Sequence, residues 1–128
     1  MLADTDAIAI VAVKDLATAK AFYEGKLGLK LAEREGRQGV LTYTAGKSKL
    51  LVYQSQFAGT NKATAVTWIV GRGEVESIAK ALKAKGVAFE HYDMPGLTLQ
   101  GDVHVGTDMS VAWLKDPDGN IISVVSAS

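Results

Sequence analysis

The sequence predicts an α+β fold in which one βαβββ unit is written twice. Two short apolar runs bounded by polar residues, AIAIVAV (7–13) and ATAVTWIV (63–70), each read as a buried strand. Each run precedes a stretch with helical spacing that ends on a glycine, Gly28 or Gly86. Three further strand-like runs follow in each half. Superposing Val13 on Val70 keeps Gly28 and Gly86 nearly in step. A repeat of this kind is a matter of organisation rather than residue identity, and it narrows the choice of folds sharply.

The elements follow in chain order. After the first strand, Asp15 is suited to cap a helix, because its carboxylate accepts from the free amides of the first turn. Leu16, Ala19, Phe22 and Tyr23 recur on one face of that helix, and Gly28 supplies its left-handed stop. The runs LKLAER (29–34), GVLTYTA (39–45) and SKLLVYQ (48–54) alternate as strands do, and the gaps EGRQ and GK read as hairpin turns. In the second half, GRGEVESIAKALKAKG (71–86) places Val75, Ile78, Ala79 and Leu82 on one helical face. GRG (71–73) lacks the remaining residues of a phosphate loop and reads as a strand-to-helix turn. The runs VAFEHY (87–92), MSVAWLK (109–115) and NIISVVS (120–126) complete the second set of strands. Only DMPGLTLQGDVHVGTD (93–108) breaks the parallel between halves, being much longer than EGRQ, and a long loop is expected to act as a mobile lid.

Length and composition bound the function. A chain of 128 residues makes one domain, with a first module over about 5–56 and a second over about 62–127. Fourteen basic residues balance fourteen acidic ones, so there is no electrostatic footprint for nucleic acid. The absence of cysteine removes disulfides, thiol nucleophiles and thiolate metal sites together. The opening MLADTDAIAIVAVKD carries acids before an apolar run too short to span a bilayer. The expected location is therefore the cytoplasm, without membrane association.

The acids of WLKDPDGN (113–120) pose a choice between a metal site and a turn. Pro117 presets the backbone for the second turn position, Asp116 accepts from nearby amides and Gly119 relieves strain, so the motif is read as a turn.

These residues also carry a family resemblance. VAVKDLATAKAFYEGKLGL in the first half and AWLKDPDGNIISVV at the end resemble the vicinal oxygen chelate superfamily, over the whole chain. That superfamily contains glyoxalase I, extradiol dioxygenases, fosfomycin-resistance enzymes and bleomycin-resistance proteins. The resemblance implies curled, mixed sheets whose concave faces enclose a cavity, with the helices on the convex faces, and it implies a homodimer. In the metalloenzymes of the family, ligands project into the cavity from the first and last strands of each module. The matching positions here are Ile8, Leu50, Ala65 and Ser123. Carbon side chains and one hydroxyl do not hold a divalent ion, so no metal and no cofactor is expected. The chain then resembles the metal-free, bleomycin-resistance-like members that bind a compound.

Strand alternation sorts the other candidates. With Ile8 facing the cavity, Ile10 joins it; with Leu50, so do Val52 and Gln54; with Ala65, Thr67; with Ser123, Ile121 and Val125. The resemblance adds Val111 and Trp113 as compound-contacting positions. Such a wall is apolar and without fixed charge, which suits a small hydrophobic or aromatic molecule such as an antibiotic or secondary metabolite. Trp113 serves equally as a stacking platform or as core, whereas Trp68 and Tyr53 fall on the helix side by the same count. His91, Tyr92 and Asp93 form a compact set open to acid–base work or simple solvation. His104, in the long loop, is either an exposed side chain or a donor to a ligand carbonyl. The alternative function is an enzyme of the same fold, working through His91, Asp93 or His104 or through unplaced metal donors.

Overall fold

The computed structural model describes residues 1–32 and 39–126. The chain divides into two compact units, Met1–Thr60 and Asn61–Ser128. Each contains a mixed sheet and a helical segment that follows its first strand, and the first unit also opens with a 3-10 turn over Leu2–Asp4.

In the first unit, β1 (Ala9–Val13) leads into α1 (Leu16–Lys20), which continues as a π-helical turn over Ala21–Lys26. Asp15 caps α1 by accepting from the Thr18 amide at 3.1 Å. The wide turn closes through the Leu27 amide donating to the Phe22 carbonyl, and it follows the face that buries Phe22 and Tyr23 together. Gly28 then takes the left-handed conformation, φ 75°, that ends the helix. Three strands follow, β2 (Lys30–Leu31), β3 (Val40–Ala45) and β4 (Ser48–Gln54). The expected EGRQ turn, and the end of the expected strand 29–34, lie outside the described residues. The sheet order is β1-β4-β3-β2, with β1 parallel to β4 and the other pairs antiparallel.

Register corrects the expected sheet faces. Val11 lies beside Val52 and Ala9 beside Leu50, while Leu50 faces Tyr43 across the next pair. Partners across a ladder share a face, and Tyr43 stacks on Tyr23 of the helical segment, with centroids 6.1 Å apart. Leu50 and Val52, only 2% and 0% exposed, therefore lie under the helix with Val11 and Val13 rather than facing a cavity. Gln54, the partner of Val13, donates to the Lys14 carbonyl at 3.1 Å and holds the strand-to-helix turn. The opposite face carries Ile10 with Leu51 and Ala12 with Tyr53, so Tyr53 is not a helix-side residue. The Tyr43 hydroxyl donates to Glu24 Oε2 at 2.9 Å, and burial together with that carboxylate pushes the phenol pKa well above its usual value.

In the second unit, β5 (Thr64–Ile69) precedes α2 (Glu74–Ala84). Val75, Ala79 and Leu82 form the buried stripe of α2, which packs on β9 and β10. The helix ends in a Schellman motif: the Gly86 amide donates to the Lys83 carbonyl and the Val87 amide to the Leu82 carbonyl. β9 (Ser110–Lys115) and β10 (Ile121–Ser126) form an antiparallel pair, and β5 runs parallel to β10. The turn between β9 and β10 is the expected one. Asp116 accepts from the Asp118 and Asn120 amides at 2.9 and 2.8 Å and from Asn120 Nδ2 at 2.7 Å, while Gly119 has φ 86°. Its acids are turn-formers.

The free edge of β9 is shared. β6 (Phe89–Glu90), much shorter than the expected strand 87–92, pairs with Trp113 and Leu114. Ser110 and Val111 pair instead with β8 (Val103–Val105), which forms a hairpin with β7 (Thr98–Gln100). The stretch 93–108 is therefore not one long loop. Gly101 and Asp102 make its two-residue hairpin turn, with Gly101 at φ 66° as the primed turns require. Asp102 fastens that turn to its surroundings, lying 2.8 Å from His91 Nε2 and 3.3 Å from Lys83 Nζ of α2.

The face assignment predicts that Leu50→Ala costs about 2–5 kcal/mol in urea unfolding, the range for a buried leucine, and Leu51→Ala well under that. The opposite ranking would mean that the sheet is turned over. Asp102 supplies a pH test. Its hydrogen bond from His91, followed by Lys83, holds its pKa below the usual value. A depressed carboxylate pKa adds stability above the unfolded-state value and loses it as pH falls through the folded-state value. Asp102→Asn should therefore destabilise at pH 7 by under about 1 kcal/mol, as exposed pairs do. The difference from the parent should shrink steadily as pH falls through and below the usual carboxylate range; a difference that stays constant over that fall would sink the assignment.

Candidate ligand site on the second sheet

One face of the second sheet packs against α2, and the other carries the candidate site. Ala112, Leu114, Ile122 and Val124, all buried, lie with Trp68 on the helix side, since Val124 pairs with both Trp68 and Ala112. Trp68 is thus where alternation expects it. Two rows of side chains cross the other face. Thr67, Ser123, Trp113 and Glu90 are successive ladder partners across four strands. Val125, Val111 and His104 form the next row, with Ile69 at its β5 end. Cross-strand neighbours on one face sit close enough for side-chain contact, and diagonal ones remain within reach of rings.

The first row places hydroxyls beside an indole. Ser123 donates to Thr67 Oγ1 at 2.8 Å, next to the half-buried Trp113. Glu90 closes the row through an ion pair with Lys115 at 3.5 Å. The wall is consequently not free of fixed charge, as alternation alone suggests, but carries a compensated pair at its rim. A β-bulge between Ile121 and Ile122 leaves Ala65 without a ladder partner, while Thr67 and Ser123 remain paired.

Rings enclose the second row. His104 is 1% exposed and lies in a strand rather than in an open loop. Its ring centroid is 4.8 Å from that of Trp113 and 6.2 Å from that of His91, both edge to face. Tyr92 meets Trp113 edge to face at 5.1 Å. The Tyr92 amide donates to His104 Nε2 at 3.0 Å. A backbone amide only donates, so Nε2 must accept, and the neutral ring then carries its proton on Nδ1. Beside it, His91 Nε2 donates to Asp102 at 2.8 Å, because a carboxylate accepts. That pairing replaces the expected grouping of His91 with Asp93.

The sequence candidates thus separate by unit and by face. Trp113, Val111, Thr67, Ser123 and His104 share one face of the second sheet. Ile8 and Ile10, 47% and 53% exposed, lie on the open side of β1 in the first unit. Ile8 also borders an open cleft of about 580 Å³ with Asp6, Ala7 and the hairpin residues Lys47, Ser48 and Lys49. Lys47 and Lys49 are exposed, so this hairpin forms a solvated edge. Sequence reasoning passes over Glu90 and Asp102. Two alternating triplets around Gly-Asp, TLQ and VHV, were the signal for the hairpin that brings Asp102 to His91.

The residues present do not fit the divalent ion of the family's metalloenzymes. Leu50 lies under the helix, Ser123 spends its hydroxyl on Thr67, and Ile8 and Ala65 offer no donor. Moving one place along β4 substitutes Leu51, which is no better. Among the described residues no group of three or more His, Asp or Glu side chains is arranged to hold a metal.

Comparison with known proteins places this geometry. A family model described as the Glyoxalase/Bleomycin resistance protein/Dioxygenase superfamily matches residues 6–124. No curated protein matches. Among solved structures, a glyoxalase/bleomycin resistance protein/dioxygenase from Alicyclobacillus acidocaldarius superposes with a TM-score of 0.70 at 19% identity, covering 97% of this chain and 92% of that one. A lactoylglutathione lyase from Agrobacterium tumefaciens gives 0.69 at 19% identity, with 96% and 93% covered. A fosfomycin resistance protein from Listeria monocytogenes gives 0.67 at 15% identity, with 100% and 94% covered. Likeness at these identities establishes the shared fold, and the family match extends over nearly the whole chain. The chain belongs to the glyoxalase/bleomycin resistance protein/dioxygenase superfamily.

Proposed function

We propose that this chain binds a flat, uncharged hydrophobic or aromatic small molecule without a metal, as an antibiotic- or metabolite-sequestering member of its superfamily. The observation that carries the reading is the row Thr67–Ser123–Trp113: a half-buried indole stands where metal-using relatives would need donors nearby, with only two mutually bonded hydroxyls beside it. An indole presents a large, rigid face at low entropic cost, which favours stacking of a planar compound. Val111 on the same face adds apolar contact. The compensated Glu90–Lys115 pair gives no net charge with which to select an ion. The same reading has the protein working as a homodimer in the cytoplasm.

A second reading, a metal-free enzyme, is favoured by one feature. With Nε2 donating to Asp102, His91 keeps the lone pair on Nδ1, and its ring is accessible, as a general base requires. Under that reading His91→Gln abolishes turnover of the bound compound while sparing affinity. Under sequestration, native mass spectrometry recovers the compound unchanged.

Two outcomes test the main proposal. Purified protein should contain sub-stoichiometric metal, and its melting temperature should not rise with zinc, nickel, manganese or iron, since a ligand specific for the native state must stabilise it. One metal per chain, removable by chelators, would overturn the reading. A fused-ring aromatic such as fluorene should quench tryptophan fluorescence, and Trp113→Ala should weaken its binding by about 1–3 kcal/mol. Trp68→Ala should instead destabilise the fold by on the order of 3 kcal/mol and spare affinity. The reverse pattern would exchange the roles of the two faces.

A further inference from the structure

His104 carries an anomaly that the packing of the second unit does not explain. Its Nδ1 is buried and has no hydrogen-bond partner among the described residues. Burying an imidazole N–H without an acceptor is costly, and buried polar atoms are nearly always paired. Nor is the ring free to exchange its two nitrogens, because the Tyr92 amide occupies Nε2 and compels the proton onto Nδ1. The fold therefore holds a hydrogen-bond donor of fixed tautomer in an aromatic setting. Trp113, edge to face beside it, is half-buried, and the half-buried Tyr92 ring meets Trp113 in the same geometry.

We propose that His104 Nδ1–H is the polar recognition element of the site and that the bound compound is a planar aromatic bearing a carbonyl oxygen, such as an aryl ketone or a quinone. This rests on the proposed binding of a flat compound beside Trp113 and adds its chemical class. The group met by Nδ1–H must be an acceptor, since the proton on that nitrogen is fixed. It must also be uncharged, because the Glu90–Lys115 pair beside Trp113 is already compensated and leaves no net charge to offset a buried ion. A carbonyl in the plane of a stacked ring system meets both requirements. The His91–Asp102 bond helps to hold the segment that delivers the Tyr92 amide.

A matched pair of probes tests this: 9-fluorenone and fluorene, the same tricycle with and without a carbonyl. Titrated by tryptophan fluorescence, the intact protein should bind fluorenone at least about tenfold more tightly, as gain of a partner for a buried donor implies. In His104→Phe, which keeps a ring but no N–H, that ratio should fall to about one. Should this variant fail to fold, nitrogen-15 spectra of the histidine-labelled parent decide the matter: fluorenone should shift the Nδ1–H signal of His104 and fluorene should not. Equal affinity for the two probes, or an unmoved Nδ1–H signal in the fluorenone complex, overturns the carbonyl assignment and leaves flat-ligand binding standing. Failure of both probes to bind overturns the two together.

Discussion

Each sheet is organised by the parallel pairing of its first and last strands. In the first unit Val11 lies beside Val52, and in the second Trp68 lies beside Val124. A parallel pair cannot be closed by a short turn, so the chain crosses over through a helix that covers one face of the sheet. Which residues meet that helix follows from the register of the two strands. In the first unit the register sends Leu50, Val52 and Tyr43 beneath it and leaves Ile10, Leu51 and Tyr53 on the other side. The aromatic stack of Tyr23 on Tyr43 and the hydrogen bond from Tyr43 to Glu24 belong to the same arrangement.

The second unit keeps this plan and modifies its outer edge. β6 and β8 each pair with half of β9, where among the described residues of the first unit β2 pairs with β3. Dividing the edge brings residues far apart in the chain to one face: Glu90 beside Trp113, and His104 beside Val111. The two segments are then tied together by imidazoles of opposite sense. His91 donates across to Asp102, and His104 accepts from the Tyr92 amide. Strands thus carry His104, Ser123, Thr67 and Glu90, which favours precise placement over adaptability.

The chemistry available on that face is narrow. Metal-assisted catalysis in this superfamily relies on imidazole and carboxylate donors, and the corresponding positions here are aliphatic or spent on a hydroxyl pair. What remains is an indole, two hydroxyls, valines, a compensated ion pair and one imidazole of defined tautomer. Such groups recognise shape and a single hydrogen bond well, and ionic substrates poorly. The superfamily supplies the scaffold, and under the proposed function the side chains supply the selectivity.

Much of the architecture was already determined by the sequence alone. The doubled unit shows in the repeated order of its elements, and the Asp15 cap, the stops at Gly28 and Gly86 and the turn built on Asp116, Pro117 and Gly119 arise from contacts within a few residues. Alternation along β9 likewise put Val111 and Trp113 on one face, because side chains on a strand alternate with period two. Only the tertiary structure decided how one strand's alternation matches another's. Leu50 and Val52 were assigned to the wrong face because β1 and β4 are joined through a helix and two other strands, and no local turn reports their register. The partner of His91 and the tautomer of His104 depend in the same way on bonds reaching across eleven and twelve residues. Local chemistry shapes the elements, whereas the site forms where hydrogen-bonded ladders bring distant residues onto one face.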